Sequence, residues 1–112
     1  MSFQTKIEDN TAIISIGCTR LDAAVAPELK EIVADMLGKG VNKVIIDLEM
    51  VEFMDSSGLG SVIGSFKLTG QSGEFLLCNL QEPVQEIFKL THMDKVFDIH
   101  ATLEDGYKKL VA

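Results

Sequence analysis

The stretch that decides the fold is Lys43–Thr69, which reads KVIIDLEMVEFMDSSGLGSVIGSFKLT. It opens with the run 43–48, whose apolar and β-branched residues are typical of a short strand buried on both faces of a sheet. It closes with 57–69, where apolar residues recur at the spacing of one helical face. A polar, glycine-containing turn joins the two. A strand followed by an amphipathic helix is the repeating unit of a parallel α/β sheet.

The flanking sequence extends this pattern in both directions. Residues 3–8 and 11–17 predict two strands, and Asp9-Asn10 between them predicts a tight hairpin turn because Asn accepts a positive φ. The remaining segments predict helices over 24–38, 57–69, from Pro83 onward and after Thr102, and strands over 43–48, 74–79 and 96–99. The predicted order is β-β-α-β-α-β-α-β-α. This is an α/β domain with a mixed, mostly parallel sheet of four to five strands and about four helices, which cover mainly one face.

Each predicted helix carries one apolar stripe that should face the core. The predicted inward residues are Leu29, Ile32, Val33, Met36 and Leu37 in the first helix, and Leu59, Val62, Ile63 and Phe66 in the second. Thr102 followed by Asp105 resembles a capping pair at the start of the last helix.

Composition limits the classes of partner. The chain has 112 residues, 46% of them hydrophobic, which fits a single domain with its own core. A net charge of -7 argues against nucleic acid as a direct ligand and against an anionic membrane surface, because both need clustered Lys and Arg. The N-terminus shows no signal-peptide pattern and no apolar run approaches the length of a membrane span, so we expect a cytoplasmic protein. Cys18 and Cys78 are expected to be reduced, buried and apolar in role.

The turn Asp55–Gly60 reads DSSGLG and suits the start of a helix, where four backbone N–H groups lack partners. Capping alone explains the polar residue types. Three features exceed that explanation. The first is that two serine hydroxyls are present where one would be enough to cap the helix. The second is that Gly58 and Gly60 each lower the stability of a helix by about 1 kcal/mol relative to Ala. The turn also follows a parallel strand at its carboxyl end, where open α/β sheets place their sites.

Enzymatic, nucleotide-binding and metal-binding functions find little support. Ser56 stands on a strand-to-helix turn, but the Gly-x-Ser-x-Gly pattern of hydrolases is absent. No Gly-x-x-x-x-Gly-Lys-Ser/Thr sequence occurs, which argues against a phosphate-binding loop of the P-loop type. The two cysteines and two histidines lack the spacing of metal ligands. We therefore expect neither catalysis nor a cofactor.

The segment Val51–Gly60 resembles the signature of the STAS family, the fold of anti-sigma-factor antagonists and of the cytoplasmic domains of some anion transporters. The resemblance runs over nearly the whole chain, so residues 1–112 are expected to form one STAS domain. It includes Gly17, the Arg20-Leu21-Asp22 element, the 44–48 strand, the 73–79 segment and the Pro83 helix.

The resemblance implies a phosphorylation switch at Ser56. In this family the unphosphorylated antagonist binds an anti-sigma factor that is also a serine kinase, and so frees the sigma factor. The kinase phosphorylates the serine, the complex dissociates, and a serine phosphatase resets the switch. The implied partner-binding residues are Asp22, Arg20, Asp55, Ser57, Gly58, Leu59 and Gly60. The chain is expected to be a monomer. The alternative is a STAS scaffold or regulatory module in another kinase and phosphatase complex.

Arg20 departs from the family pattern. The family often has Gly-x-Leu-Asp before the first helix, whereas this chain has Gly17-Cys18-Thr19-Arg20-Leu21-Asp22. No Lys or Arg lies within ten residues of Ser56 in the sequence, so phosphorylation is expected to change what docks there and not to refold the domain. Arg20 is the one residue that could offer the phosphate a cation.

Overall fold

A five-stranded sheet forms the centre of the protein, and the computed structural model describes residues 3–71 and 73–111. The elements in chain order are β1 (Phe3–Glu8), β2 (Thr11–Ile16), β3 (Arg20–Leu21), α1 (Ala26–Gly38), β4 (Lys43–Asp47), β5 (Phe53–Met54), α2 (Ser56–Thr69), β6 (Glu74–Cys78), α3 (Glu82–Leu90), a 3-10 turn (Met93–Lys95), β7 (Asp98–His100) and α4 (Leu103–Val111). The sheet has the spatial order β1-β2-β4-β6-β7, and only the β1–β2 pair is antiparallel. The predicted fold class is confirmed.

The β1–β2 hairpin turns where the sequence predicts it. Asp9 and Asn10 have φ of 50° and 64°, so both central residues take the left-handed conformation that a two-residue turn with the correct twist needs. Glu8 pairs with Thr11 on either side of the turn. The hairpin adds the antiparallel edge strand to an otherwise parallel sheet.

The two faces of the sheet are covered unequally. Ile14, Ile46 and Leu77 belong to the larger core cluster, which α1, α2 and α3 cover. The opposite face packs under α4, and its buried residues are Ile13, Ile45, Leu76, Cys78 and Leu110. Neighbours such as Ile45 and Ile46 are therefore both fully buried, on opposite faces. Continuous apolar runs are the expected sequence of strands covered on both sides.

Two predicted boundaries need correction, and two short strands were missed. The first helix begins at Ala26 and not at residue 24, because the Asp22 carbonyl first accepts hydrogen bonds from the Val25 and Ala26 amides in a turn that leads into the helix. The last strand is Asp98–His100 and not 96–99, since a 3-10 turn takes up the chain just before it. The sequence analysis also missed β3 and β5, which form a separate two-stranded parallel sheet. Two-residue strands are too short to show any periodicity.

The buried face of α2 is lined by small polar residues that were not predicted to be buried. Ser61, Ser65 and Thr69 lie on it, and each hydroxyl donates to a helix carbonyl three or four residues earlier, at 2.7, 2.7 and 3.0 Å. These internal bonds satisfy the hydroxyls without a partner from another element. Small side chains then let α1 approach α2 closely, as at Gly64, where the Lys30 Cε lies 2.9 Å from the position of an added Cβ.

The predicted stripe of α2 is partly wrong at Phe66. Val62 is fully buried and Leu59 and Ile63 are partly buried against the core, as expected. Phe66 remains 37% exposed, although its ring makes edge contacts with Phe75 and Phe97. The buried face of α2 therefore runs through its small residues as well as Val62, and it leaves Phe66 at the edge of the core.

Side-chain hydrogen bonds fix α4 to the rest of the fold. Thr102 Oγ1 accepts from the Asp105 N–H at 3.1 Å, which confirms the predicted cap. The Tyr107 hydroxyl donates to the Asp9 carboxylate in the hairpin turn, and this bond raises the pKa of Tyr107 to about 12. Lys43 Nζ donates to the Leu110 carbonyl at 2.9 Å. The last helix is thus connected to both the hairpin and the sheet.

Both cysteines are free. Cys78 is fully buried under α4, and burial, with the nearby Asp47 and Glu49, raises the pKa of its thiol to about 12. Cys18 is only partly buried, at the margin of the larger cluster, and its burial also raises the pKa of the thiol. The predicted burial is therefore confirmed for Cys78, whereas Cys18 is only partly buried.

Leu110→Ala should destabilise the fold because Leu110, 5% exposed, carries the contact of α4 with the second face of the sheet. Truncating a buried Leu costs about 2–5 kcal/mol in free energy of unfolding. Val111→Ala is the matched control, since the neighbouring Val111 is 46% exposed and its truncation should cost well under 1 kcal/mol. Urea unfolding of both variants measures the difference. Equal free energies of unfolding for the Leu110→Ala and Val111→Ala variants would contradict a stabilising contact between Leu110 and the sheet.

Candidate functional site

Asp55 caps α2 and leaves the two serines free. Asp55 has extended backbone, with φ of -101° and ψ of -173°, and its Oδ1 accepts from the Gly58 N–H at 2.9 Å. Its carbonyl accepts the Leu59 N–H at 2.9 Å, the first bond of the helix. Ser56 and Ser57 occupy the first helical positions and are both exposed. Because a carboxylate makes the cap, neither serine hydroxyl is needed for it.

The backbone of Gly58 is closely approached by another segment of the chain, which accounts for a glycine in the first turn of α2. A Cβ at Gly58 would overlap the carbonyl oxygen of Leu21 in β3 and press on the Met54 side chain. Gly60 behaves differently, since it is exposed and a Cβ there would have no atom of the described chain within 4 Å. Packing within residues 3–71 and 73–111 therefore explains Gly58 and leaves Gly60 unexplained.

The strands β3 and β5 bring the loop before α1 against the segment that leads into α2. Arg20 pairs with Phe53 and Leu21 with Met54, in parallel register. The Asp55 N–H points to the Leu21 carbonyl at 3.4 Å, which continues the ladder up to the helix cap. Leu21 and Met54 are buried, whereas Arg20 and Phe53 are exposed. One side of this small sheet therefore faces the core and the other faces solvent.

Arg20, Phe53 and Asp22 form a contact group on the solvent side. The Arg20 Cζ lies 4.3 Å from the centroid of the Phe53 ring, a cation–π distance. The Arg20 Nε lies 3.6 Å from Asp22 Oδ2. Asp22 Oδ1 also accepts the Ala24 N–H at 3.1 Å, which holds the carboxylate at the start of the turn into α1. Phe53 was missed by the sequence analysis, because the alternation of exposed and buried residues over two positions gives no readable signal.

A shallow cleft of about 410 Å³ separates the beginnings of α1 and α2. It is lined by Ala23, Ala26, Pro27, Lys30, Ser57, Gly60 and Ser61. Of the predicted site residues, Ser57 and Gly60 therefore face α1. Arg20 and Asp22 lie at β3, on the neighbouring element, and Leu59 is partly buried against the core. The structure thus gathers the predicted residues at one end of α2, on either side of it.

The family model described as STAS domain matches residues 2–106. The chain belongs to the STAS family. This confirms the resemblance found in the Val51–Gly60 segment. The motif responsible for the resemblance lies at the junction between β5 and α2.

Relatives of this STAS chain match nearly all of it. The anti-sigma-B factor antagonist of Bacillus subtilis (strain 168) is 32% identical over 108 residues, which cover 95% of this chain and 98% of the relative. A crystal structure from Thermotoga maritima matches with a TM-score of 0.88 and 30% identity, covering 98% of this chain and 95% of that one.

The anti-sigma factor antagonist SpoIIAA has the same fold in two chemical states. Its unphosphorylated form matches with a TM-score of 0.81 and 23% identity, covering 96% of this chain and 95% of that one. The phosphorylated form from Bacillus matches with a TM-score of 0.74 and 22% identity, covering 96% and 98%. At this identity the likeness concerns the fold alone.

The described part of the chain contains neither a candidate metal site nor a candidate membrane-spanning helix. It holds no group of three or more His, Cys, Asp or Glu side chains arranged for a metal ion. Within residues 3–71 and 73–111, none of the helices has both the length and the apolar character needed to cross a membrane.

Gly58→Ala should destabilise the protein, because the new Cβ would overlap the Leu21 carbonyl and backbone must move to admit it. Overpacking of this kind costs about 1–3 kcal/mol in free energy of unfolding. Gly60→Ala, two residues along the same helix, is the matched control. It should raise stability by up to about 1 kcal/mol, because open space receives the methyl group and Ala favours the helix. Denaturant unfolding that moved both variants in the same direction would refute this assignment.

Asp55→Ala should remove the cap of α2 and lower the free energy of unfolding by about 1 kcal/mol. Asp55→Asn is the control, since an amide oxygen can still accept the Gly58 N–H and Asn is as good a cap as Asp. Thermal or urea unfolding compares the two. If the Ala and Asn variants were equally destabilised, the charge of Asp55 and not its cap would be the stabilising feature.

Proposed function

We propose that this STAS protein is an anti-sigma factor antagonist switched by phosphorylation of Ser56. The unphosphorylated protein binds an anti-sigma factor that is also a serine kinase, and the sigma factor is released. Phosphorylation of Ser56 by that kinase ends the complex, and a serine phosphatase restores binding. The name of the 32% identical Bacillus relative, an anti-sigma-B factor antagonist, supports the first part of this proposal.

The observation that carries the proposal is the capping of α2 by Asp55. The carboxylate takes the Gly58 N–H, and Ser56 is left exposed at the first helical position. A kinase needs a hydroxyl that it can reach without unfolding its substrate. Ser56 meets this requirement on a segment fixed by the β3–β5 ladder and by the cap.

The cleft between α1 and α2 favours Ser56 over Ser57 as the acceptor. Ser57 lines this cleft together with residues of α1, whereas Ser56 does not. Ser56 is therefore the less enclosed of the two hydroxyls. This agrees with the family motif, in which the serine directly after the aspartate receives the phosphate.

Phosphorylation would act by charge at the docking surface. A phosphoserine adds about -1.5 to -2 charges at neutral pH. Asp55 is the adjacent residue, so the phosphate adds negative charge beside an existing carboxylate. Ser56 lies outside the core, so the fold should tolerate the modification while a partner that matches the unmodified surface no longer fits.

Ser56 should take the label when the protein is incubated with Mg-ATP and each purified histidine-kinase-like ATPase that the same genome encodes. Peptide mass mapping locates the phosphate. Ser56→Ala should abolish labelling, and Ser57→Ala, the matched control with the same loss of one hydroxyl, should retain it. Phosphate on Ser57, or labelling of the Ser56→Ala variant, would overturn the choice of acceptor. No labelling by any of these kinases would overturn the switch.

Ser56→Asp should weaken binding of that kinase at least tenfold in calorimetry, because one carboxylate is placed on the docking surface beside Asp55. Circular dichroism should stay native, since the side chain is exposed. Gln71→Glu is the control for net charge: Gln71 is exposed and follows the opposite end of α2. Equal loss of affinity in both variants would show a general charge effect and contradict a site at Ser56.

A further inference from the structure

The only arginine of the sequence stands beside the proposed phosphoacceptor segment. Ser56 lies 36 residues farther along the sequence, yet the pairing of β3 with β5 brings the two segments together. Arg20 pairs with Phe53, and the chain runs from Phe53 through extended backbone at Asp55 to Ser56. The tertiary structure thus supplies a cation that the local sequence around Ser56 lacks.

The contacts that hold Arg20 are ones that a phosphate could replace. Its side chain is 62% exposed, and it meets Asp22 through Nε alone at 3.6 Å, without the two-pronged geometry of a strong guanidinium–carboxylate pair. Its other contact is the face of Phe53, which is itself 40% exposed. A dianionic phosphate offers more charge and three acceptor oxygens, and guanidinium groups match that geometry.

The register places Arg20 beside Phe53, three residues before Ser56. Successive side chains of a strand alternate between its two faces, and the buried Leu21 and Met54 leave Arg20 and Phe53 on the solvent side. Ser56 follows Phe53 by three residues, about 10 Å along an extended chain. An extended arginine side chain and an extended phosphoserine side chain together are long enough to cover a distance of about 10 Å.

We propose that Arg20 is the internal receiver of the phosphate on Ser56. On phosphorylation its guanidinium leaves Asp22 and the Phe53 ring and pairs with the phosphate. This inference rests on the proposed function, in which Ser56 is the acceptor. Phosphorylation then changes the docking surface twice, because it adds a phosphate and also withdraws the cation that covers Phe53.

Lys30 is the rival cation. It lines the α1–α2 cleft with Ser57, and its side chain lies over Gly64 on that side of α2. A phosphate on Ser57 would therefore have Lys30 as its neighbour, whereas one on Ser56 has Arg20. Lys30→Gln removes the same charge as Arg20→Gln and is the matched control.

The first test uses protein in which phosphoserine is incorporated at position 56 during synthesis, so that no kinase is needed. Phosphorus NMR follows the second pKa of the phosphate. Pairing with Arg20 favours the dianion and lowers this pKa, so Arg20→Gln should raise it by roughly half a unit, as for an exposed ion pair. Lys30→Gln should leave the pKa near the parent value. No change in Arg20→Gln, or an equal change in both variants, overturns the proposal.

The second test observes the arginine itself. Because the chain has one arginine, its Nε–H resonance is unambiguous. This resonance should shift when position 56 carries phosphoserine and stay near its original place when position 57 carries it instead. If the Nε–H resonance does not shift when position 56 carries phosphoserine, the proposed pairing of Arg20 with the phosphate is wrong. Failure of every kinase to label Ser56 would instead overturn the proposed function, so the two failures are distinguishable.

Discussion

The close contact between the Gly58 backbone and the Leu21 carbonyl is the constraint on which the site depends. It needs a residue without a Cβ in the first turn of α2, and it fixes that turn against β3. Through the pairing of β3 with β5, the same contact holds the loop before α1 beside the loop before α2. Two segments separated by more than thirty residues therefore form one surface.

The division of roles at the start of α2 follows from this constraint. Asp55 accepts the Gly58 N–H, and the absence of a Cβ at Gly58 leaves room for the Leu21 carbonyl. The Ser56 hydroxyl is therefore not needed for the cap. Farther along the helix, buried hydroxyls bond to the helix's own carbonyls and permit close packing with α1. A hydroxyl that is exposed on such a fixed turn is suited to modification, because its chemistry can change without loss of packing.

Electrostatics gives the surface its second property. The chain is acidic overall, with Asp22 directly after β3 and Asp55 at the start of α2. Arg20 is held among them by contacts that are exposed and individually weak. A surface of this kind responds to an added phosphate through the side chain that is easiest to move, while the sheet and its helices remain in place.

The sequence by itself determined the fold class, the hairpin turn, the last helix cap and the family. These features depend on neighbouring residues: strand and helix periodicity, positive φ at Asp9 and Asn10, and the motif around Ser56. The role of Ser56 stays a prediction. Only the tertiary structure decided that Gly58 serves an internal contact, that small hydroxyl residues form the buried face of α2, and that Arg20 lies over Phe53. Each of these depends on a contact between distant segments, and sequence periodicity carries no information about which distant atoms will meet.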